Sequence, residues 1–145
     1  MTRLAIASNP FFEASRIEID RPGPSYTVAT VQALKRQQPD RTLRVILGAD
    51  TVEELSRWAE PERLLRECRL IVVSRPGTPW DEVERALPPA YLEHADRLEI
   101  PMLHICSTDL RQRAAQGRPL RYLVPEAVEA YIRAHGLYGA ASRDE

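Results

Sequence analysis

An α/β fold, with a parallel sheet covered by helices on both faces, is the architecture that this sequence predicts, and three observations carry it. The runs Leu43-Arg44-Val45-Ile46-Leu47 and Leu70-Ile71-Val72-Val73 are nearly continuous in apolar residues, as in strands buried on both faces. Stretches with helical spacing lie between such runs, so strand and helix alternate along the chain. Both runs stop at loop signals, Gly48-Ala49-Asp50 and Ser74-Arg75-Pro76-Gly77. In parallel sheets, loops at the carboxyl ends of the strands are where ligands bind.

Taken in order, Ile17 and Ile19 alternate with charged residues and read as a short strand, closed by the breaker Arg21-Pro22-Gly23-Pro24. Ser25-Tyr26-Thr27 leads into a helix with Val28, Val31, Ala33 and Leu34 on its apolar side; Ser25 or Thr27 caps it and Pro39-Asp40 ends it. After the strand at Leu43 to Leu47, a helical stretch around Val52 to Leu55 carries Trp58 near its end. Pro61 opens the next helix, through Leu64 and Leu65. Leu70 to Val73 is the clearest buried strand. Asp81 to Leu87 forms a short helix broken by Pro88-Pro89, and Leu98 to Ile100 a short strand. A helix opened by Ser107 runs to Gln116, with Gly117 as its stop. Pro125 and Glu126 open the last helix, whose apolar side is Val128, Tyr131 and Ile132, and Gly136 closes it. Residues 1–138 form one domain on this reading, and 139–145 a flexible tail.

Bulk properties narrow the function. A chain of 145 residues suffices for one domain with a real core. Its formal net charge of -1, with basic and acidic residues intermixed, gives no field suited to nucleic acid or an anionic membrane. Cys68 and Cys106 form neither a disulfide framework nor a metal-ligand spacing, and the neighbouring His104 and Cys106 read as core or surface residues rather than ligands. No apolar run reaches the length of a membrane span, and the stretch from Met1 to Phe12 is too short for a secretory signal, so a cytoplasmic location is expected.

The residues that can carry chemistry fall in the ligand loops. Ser107 and Thr108 stand where a helix begins, and Arg111 follows one turn inside it. A helix start exposes unpaired N–H groups and a partial positive charge that favour phosphate, and the guanidinium adds a forked donor set. The plain reading of the two hydroxyls is a cap; Arg111 tips the balance towards phosphate. Gly48 allows the backbone close to a ligand and Asp50 can accept from ribose hydroxyls, although a turn with a capping aspartate accounts for both. Trp58 either packs into the core or offers a face for stacking an aromatic ring. Arg75 before Pro-Gly reads most often as a solvated turn residue; its place after a buried strand favours the reading in which it faces the ligand. Tyr122 and Leu123 read as core.

These residues also carry a resemblance. Pro24-Ser25-Tyr26-Thr27, Leu47-Gly48-Ala49-Asp50, Trp58, Arg75-Pro76-Gly77, Ser107-Thr108-Asp109-Leu110-Arg111 and Arg121-Tyr122-Leu123-Val124-Pro125 stand in an order and spacing that closely resemble bacterial nicotinate-nucleotide adenylyltransferases, from Met1 to about Tyr138. The resemblance implies a Rossmann-like nucleotidyltransferase of NAD biosynthesis that joins nicotinate mononucleotide to the adenylyl group of ATP and releases pyrophosphate, with Mg2+ accompanying the phosphates and no protein ligand to it identified. It implies nicotinate-side roles for Thr27, Trp58 and Arg75, and ATP-side roles for Gly48, Asp50, Ser107, Thr108 and Arg111. It implies no oligomeric state. Cys106 stands where the family commonly has serine or threonine.

The family opens with a strand, a G-x-F-D-P-x-H-x-G-H loop and a helix, and this chain contains no H-x-G-H; its histidines are His94, His104 and His135. No catalytic residue is therefore assigned, and little or no adenylyl transfer is expected of the 145 residues. An unpaired strand edge and exposed apolar surface are expected where that unit would lie. Met1 is expected to be an internal methionine of a longer chain. The alternatives are a non-catalytic nucleotide-binding remnant, or a missing half supplied by another polypeptide. A sibling adenylyltransferase acting on another phosphorylated substrate, such as phosphopantetheine, is the remaining reading; Trp58 and Ser25-Tyr26-Thr27 match the nicotinate side instead.

Overall fold

The structure, a computed structural model, describes residues 1–73, 80–101 and 103–139. In chain order its elements are α1 (Thr2–Ile6), α2 (Thr27–Gln37), β1 (Arg44–Gly48), α3 (Ala49–Val52), α4 (Pro61–Glu67), β2 (Arg69–Val73), α5 (Trp80–Ala86), α6 (Pro89–Leu92), β3 (Ala95–Leu98), α7 (Ser107–Ala115) and α8 (Glu126–Ala134). Short 3₁₀ turns lie at Leu55–Arg57 and Leu137–Gly139. The chain divides into two compact units, one of Met1–Ser15 with Leu103–Glu145 and one of Arg16–Met102.

The continuous unit holds a three-stranded sheet in the order β1-β2-β3, parallel throughout, as the alternation of strand and helix predicts. Register places Val45 beside Leu70 and Ala95, and Leu47 beside Val72, on one face. Leu47, Leu70 and Val72 are buried there with Val28 and Val31 of α2, Leu64 and Leu65 of α4, and Val52 and Leu55 between β1 and α4. The opposite face carries Ile46, Ile71 and Leu98, and Ile46 is 67% exposed. β1 is an edge of this sheet.

Two local expectations fail here, and one short helix goes unpredicted. Residues 17–20 form a turn rather than a strand: the Asp20 N–H donates to the Arg16 carbonyl at 2.9 Å and the Arg16 guanidinium grips the Asp20 carboxylate at 2.7 Å, closing the chain on itself. Ile19 is 72% exposed, so its alternation buries nothing. The third strand is Ala95–Leu98 rather than Leu98 to Ile100, because pairing with β2 outweighs the charges of Asp96 and Arg97. Pro88-Pro89 ends α5 but also opens α6, where Pro89 sits in the first turn and its missing N–H costs nothing.

The other unit packs α7 and α8 around Ala114, Leu120, Val128 and Ile132, with Leu110, Val124 and Leu137 at the margin; α1 contacts α8. Gly117, at φ +67, turns the chain out of α7 in a conformation that an L side chain resists. Tyr122 is 88% exposed, which corrects its reading as core. It occupies the left-handed region at φ 67, within the tight turn closed by the bridge of Arg121 with Val124, and the Arg121 guanidinium lies 5.3 Å from its ring centroid. Leu123 is half-buried.

Candidate nucleotide site

The start of α7 is built differently from its sequence reading. Neither Ser107 nor Thr108 caps it. Cys106 does, with extended backbone at φ -127 and ψ 152, and its Sγ accepts from the Asp109 N–H at 3.4 Å. Ser107 and Thr108 are already helical, so capping does not use their hydroxyls. Thr108 Oγ1 accepts from Arg111 Nη2 at 3.3 Å, which stations the guanidinium beside the first turn. Asp109, an acid close to an expected phosphate, is turned to Arg113 at 2.9 Å. Ser107 and Arg111 border a groove of about 320 Å³ whose floor is Leu110, Val124, Val128 and Ile132. Ser107, the helix start and Arg111 thus meet at one opening in one unit, with Thr108 bonded to the guanidinium.

The remaining candidates belong to the sheet-bearing unit. Gly48 ends β1, pairs with Val73 of β2 and is the cap residue of α3. Its φ of -71 is open to any residue, so the turn itself does not require glycine. Asp50 is exposed in the first turn of α3 and is not its cap. Both stand at the carboxyl end of the sheet, where ligands bind in such folds.

Thr27 is the first residue of α2, and here too the predicted cap is absent: Tyr26 holds the cap position without a side-chain bond, while Ser25 Oγ donates instead to the Glu18 carbonyl at 3.4 Å. Among the described residues no side-chain cap bond closes this start, which is the positive end of an 11-residue helix. Arg21, read from sequence only as part of a breaker, donates to Thr30 Oγ1 at 3.0 Å, and that hydroxyl donates to Glu18 at 2.6 Å. The bonds fasten the segment before α2 to its first turn. A charged residue directly before Pro-Gly-Pro was the only available signal.

Trp58 is half-buried, packed against the main core while keeping part of its indole open, so the structure accommodates both readings of it. Its backbone N–H closes the preceding 3₁₀ turn on Leu55 at 3.1 Å. Arg75 lies outside the described residues.

Cys68 is buried, and burial pushes its thiol pKa up; Cys106 is exposed, and both are free. Among the described residues no group of three or more His, Cys, Asp or Glu side chains is placed to hold a metal ion. Nor is any helix among them long and apolar enough to cross a membrane.

Comparison with known proteins bears on the family and the fold. The cytidylyltransferase-like family matches residues 1–113. A probable nicotinate-nucleotide adenylyltransferase of Roseiflexus sp. (strain RS-1) is 57% identical over 139 residues, covering 95% of this chain and 69% of that protein. One from Thermus thermophilus is 44% identical over 138 residues, covering 95% and 70%. Among solved structures, Plasmodium falciparum nicotinic acid mononucleotide adenylyltransferase complexed with APC aligns at a TM-score of 0.64 with 20% identity, over 83% of this chain. The chain spans 61% of the length of that structure, which is similar in fold.

Proposed function

The chain belongs to the nicotinate-nucleotide adenylyltransferases of the cytidylyltransferase-like family, and on that premise we propose that its two units carry the binding groups for ATP and nicotinate mononucleotide. In the reaction, a phosphate oxygen of nicotinate mononucleotide attacks the α-phosphorus of ATP. The bond from that phosphorus to the departing pyrophosphate breaks, and nicotinate adenine dinucleotide forms.

The observation that carries the reading is the start of α7. Arg111, held at Thr108, and the first-turn amides present positive charge to the polyphosphate beside an open groove. Ser107 and Thr108 add hydroxyl donors. Gly48 gives the adenosine a side-chain-free approach, and Asp50 accepts from its ribose. On the other substrate, the uncapped start of α2 at Thr27 suits the pyridine carboxylate, and Trp58 offers an indole face to the ring. Arg75 is assigned to the same substrate from the motif Arg75-Pro76-Gly77.

Mg2+ would arrive with the ATP phosphates. The described side chains offer it no cage, and no step is assigned to it. Catalysis of phosphoryl transfer is mostly positioning and electrostatics, and the histidine pair that would supply them in this family has no counterpart among His94, His104 and His135. These 145 residues by themselves are therefore proposed to bind without turning over.

Calorimetric titration with each nucleotide, and a pyrophosphate-release assay with both, test this. Binding of each without release is expected. Pyrophosphate above background from the purified chain overturns the inactive reading, and no binding of either nucleotide overturns the site.

A further inference from the structure

Thr27 and Trp58 hang from different elements: one opens α2 and the other precedes α4. Their relative placement depends on whatever ties those helices together, and Arg63 stands at that junction. Its Nη1 donates to Glu60 Oε2 at 2.9 Å. With the Gln32 amide oriented so that its oxygen faces the guanidinium, Arg63 Nε and Nη2 donate to it at 2.6 and 3.0 Å. One side chain thus grips both the turn after Trp58 and the middle of α2.

That turn needs holding. Glu60 is left-handed, at φ 49 and ψ 55, although it bears a side chain and directly precedes Pro61. Both circumstances disfavour the conformation, and such strain persists where surrounding contacts over-determine it. The Glu60 carbonyl accepts the Leu64 N–H at 3.0 Å, so the strained residue also starts α4. A second tie, Lys35 Nζ to Glu67 Oε2 at 3.1 Å, lies about one turn further along each helix. The two ties add to the core that Val28 and Val31 share with Leu64 and Leu65 in setting the mutual rotation of α2 and α4.

We infer that Arg63 is a positioning residue of the nicotinate side, setting the Trp58 ring relative to the start of α2 and thereby the affinity for the pyridine nucleotide. The inference rests on the proposed nicotinate roles of Thr27 and Trp58. The Arg63 and Glu60 side chains are 48% and 57% exposed, and exposed pairs add little to stability. Removing Arg63 therefore disturbs geometry more than folding.

Trp58 and Trp80 are the two indoles of the chain, so a Trp80→Phe background isolates the fluorescence of Trp58. In that background Arg63→Ala is expected to preserve the far-ultraviolet circular dichroism and to make Trp58 more open to acrylamide quenching. It should weaken nicotinate mononucleotide binding about fivefold, with ATP affinity kept. Arg63→Lys, which keeps charge but not the fork, should fall between. Glu60→Gln, which removes only the charged partner, should reproduce part of the effect. Unchanged quenching overturns the inference, as does an equal loss of both nucleotides. If the parent does not bind nicotinate mononucleotide, the functional reading fails, and the quenching comparison alone decides whether Arg63 positions Trp58.

Discussion

A sulfur atom, where an oxygen was expected, starts α7. The sequence makes Ser107 and Thr108 the obvious caps, since both residue types are strong ones. The backbone decides otherwise: the extended residue is Cys106, and a cap must be extended. A thiol is a weak acceptor, even at the ordinary sulfur distance of 3.4 Å found here. Cys106→Ser should therefore raise stability by about 0.5 kcal/mol, read as a higher urea midpoint at unchanged slope. A lower midpoint would mean that the thiol, not a hydroxyl, suits this position. The same displacement by one residue occurs at α2, where Tyr26 rather than Ser25 or Thr27 takes the cap position. Residue types at both helix starts were legible, but the assignment of each to cap or first turn depends on a dihedral angle that composition does not encode.

Elements whose signal is burial were legible, and those whose signal is pairing were not. The apolar runs gave β1 and β2 to within a residue or two, because an apolar run has few places to go but the core. The start of β3, at Ala95-Asp96-Arg97, carries no such signal. It is a strand because β2 offers it hydrogen bonds and because Asp96 answers a charge problem created by the register. Arg44 and Arg69 stand directly opposite each other, an unfavourable pair across strands. Asp96 takes two bonds from Arg69, at 2.6 and 3.1 Å, and lies 3.9 Å from Arg44. The hydrogen-bonded Arg69 guanidinium holds the Asp96 carboxyl below its ordinary value. A carboxylate depressed in the folded state contributes stability above its unfolded pKa, lost as pH falls through the folded one. Asp96→Asn should therefore lower the thermal midpoint near neutrality and flatten its decline on acidification below the ordinary carboxylate range. Parallel acid limbs for the two proteins would remove Asp96 from the account.

At the scale of the whole molecule, exposed apolar side chains outweigh the charge that would keep copies apart. Ile46 is 67% and Leu98 44% exposed, on one face of the sheet, and β1 is a sheet edge. Unpaired strand edges and contiguous apolar patches promote association, and a formal net charge of -1 opposes it little. Self-association is expected to rise with concentration, and Ile46→Lys to suppress it, as measured by sedimentation velocity. Identical profiles for parent and variant would rule out this face as its cause. Exposed surface of this kind was expected from the sequence, whereas the residues that carry it were not. Ile46 sits in the middle of an apolar run, and only the register shows that it faces away from Leu47 and the core.

The two units also differ in how the chain supplies them. Arg16–Met102 is one uninterrupted stretch, whereas its companion draws Met1–Ser15 from one end and Leu103–Glu145 from the other. Contacts between neighbours in sequence form quickly, and those across a long span wait for loop closure. During synthesis the segment bearing Thr27 and Trp58 has its whole unit available before Arg111 emerges. Residues 1–15, made earlier still, wait without their partners until α8 follows. The unit bearing Thr27 and Trp58 is thus the earlier to mature, and α7 and α8 join a chain in which α1 has been held in reserve.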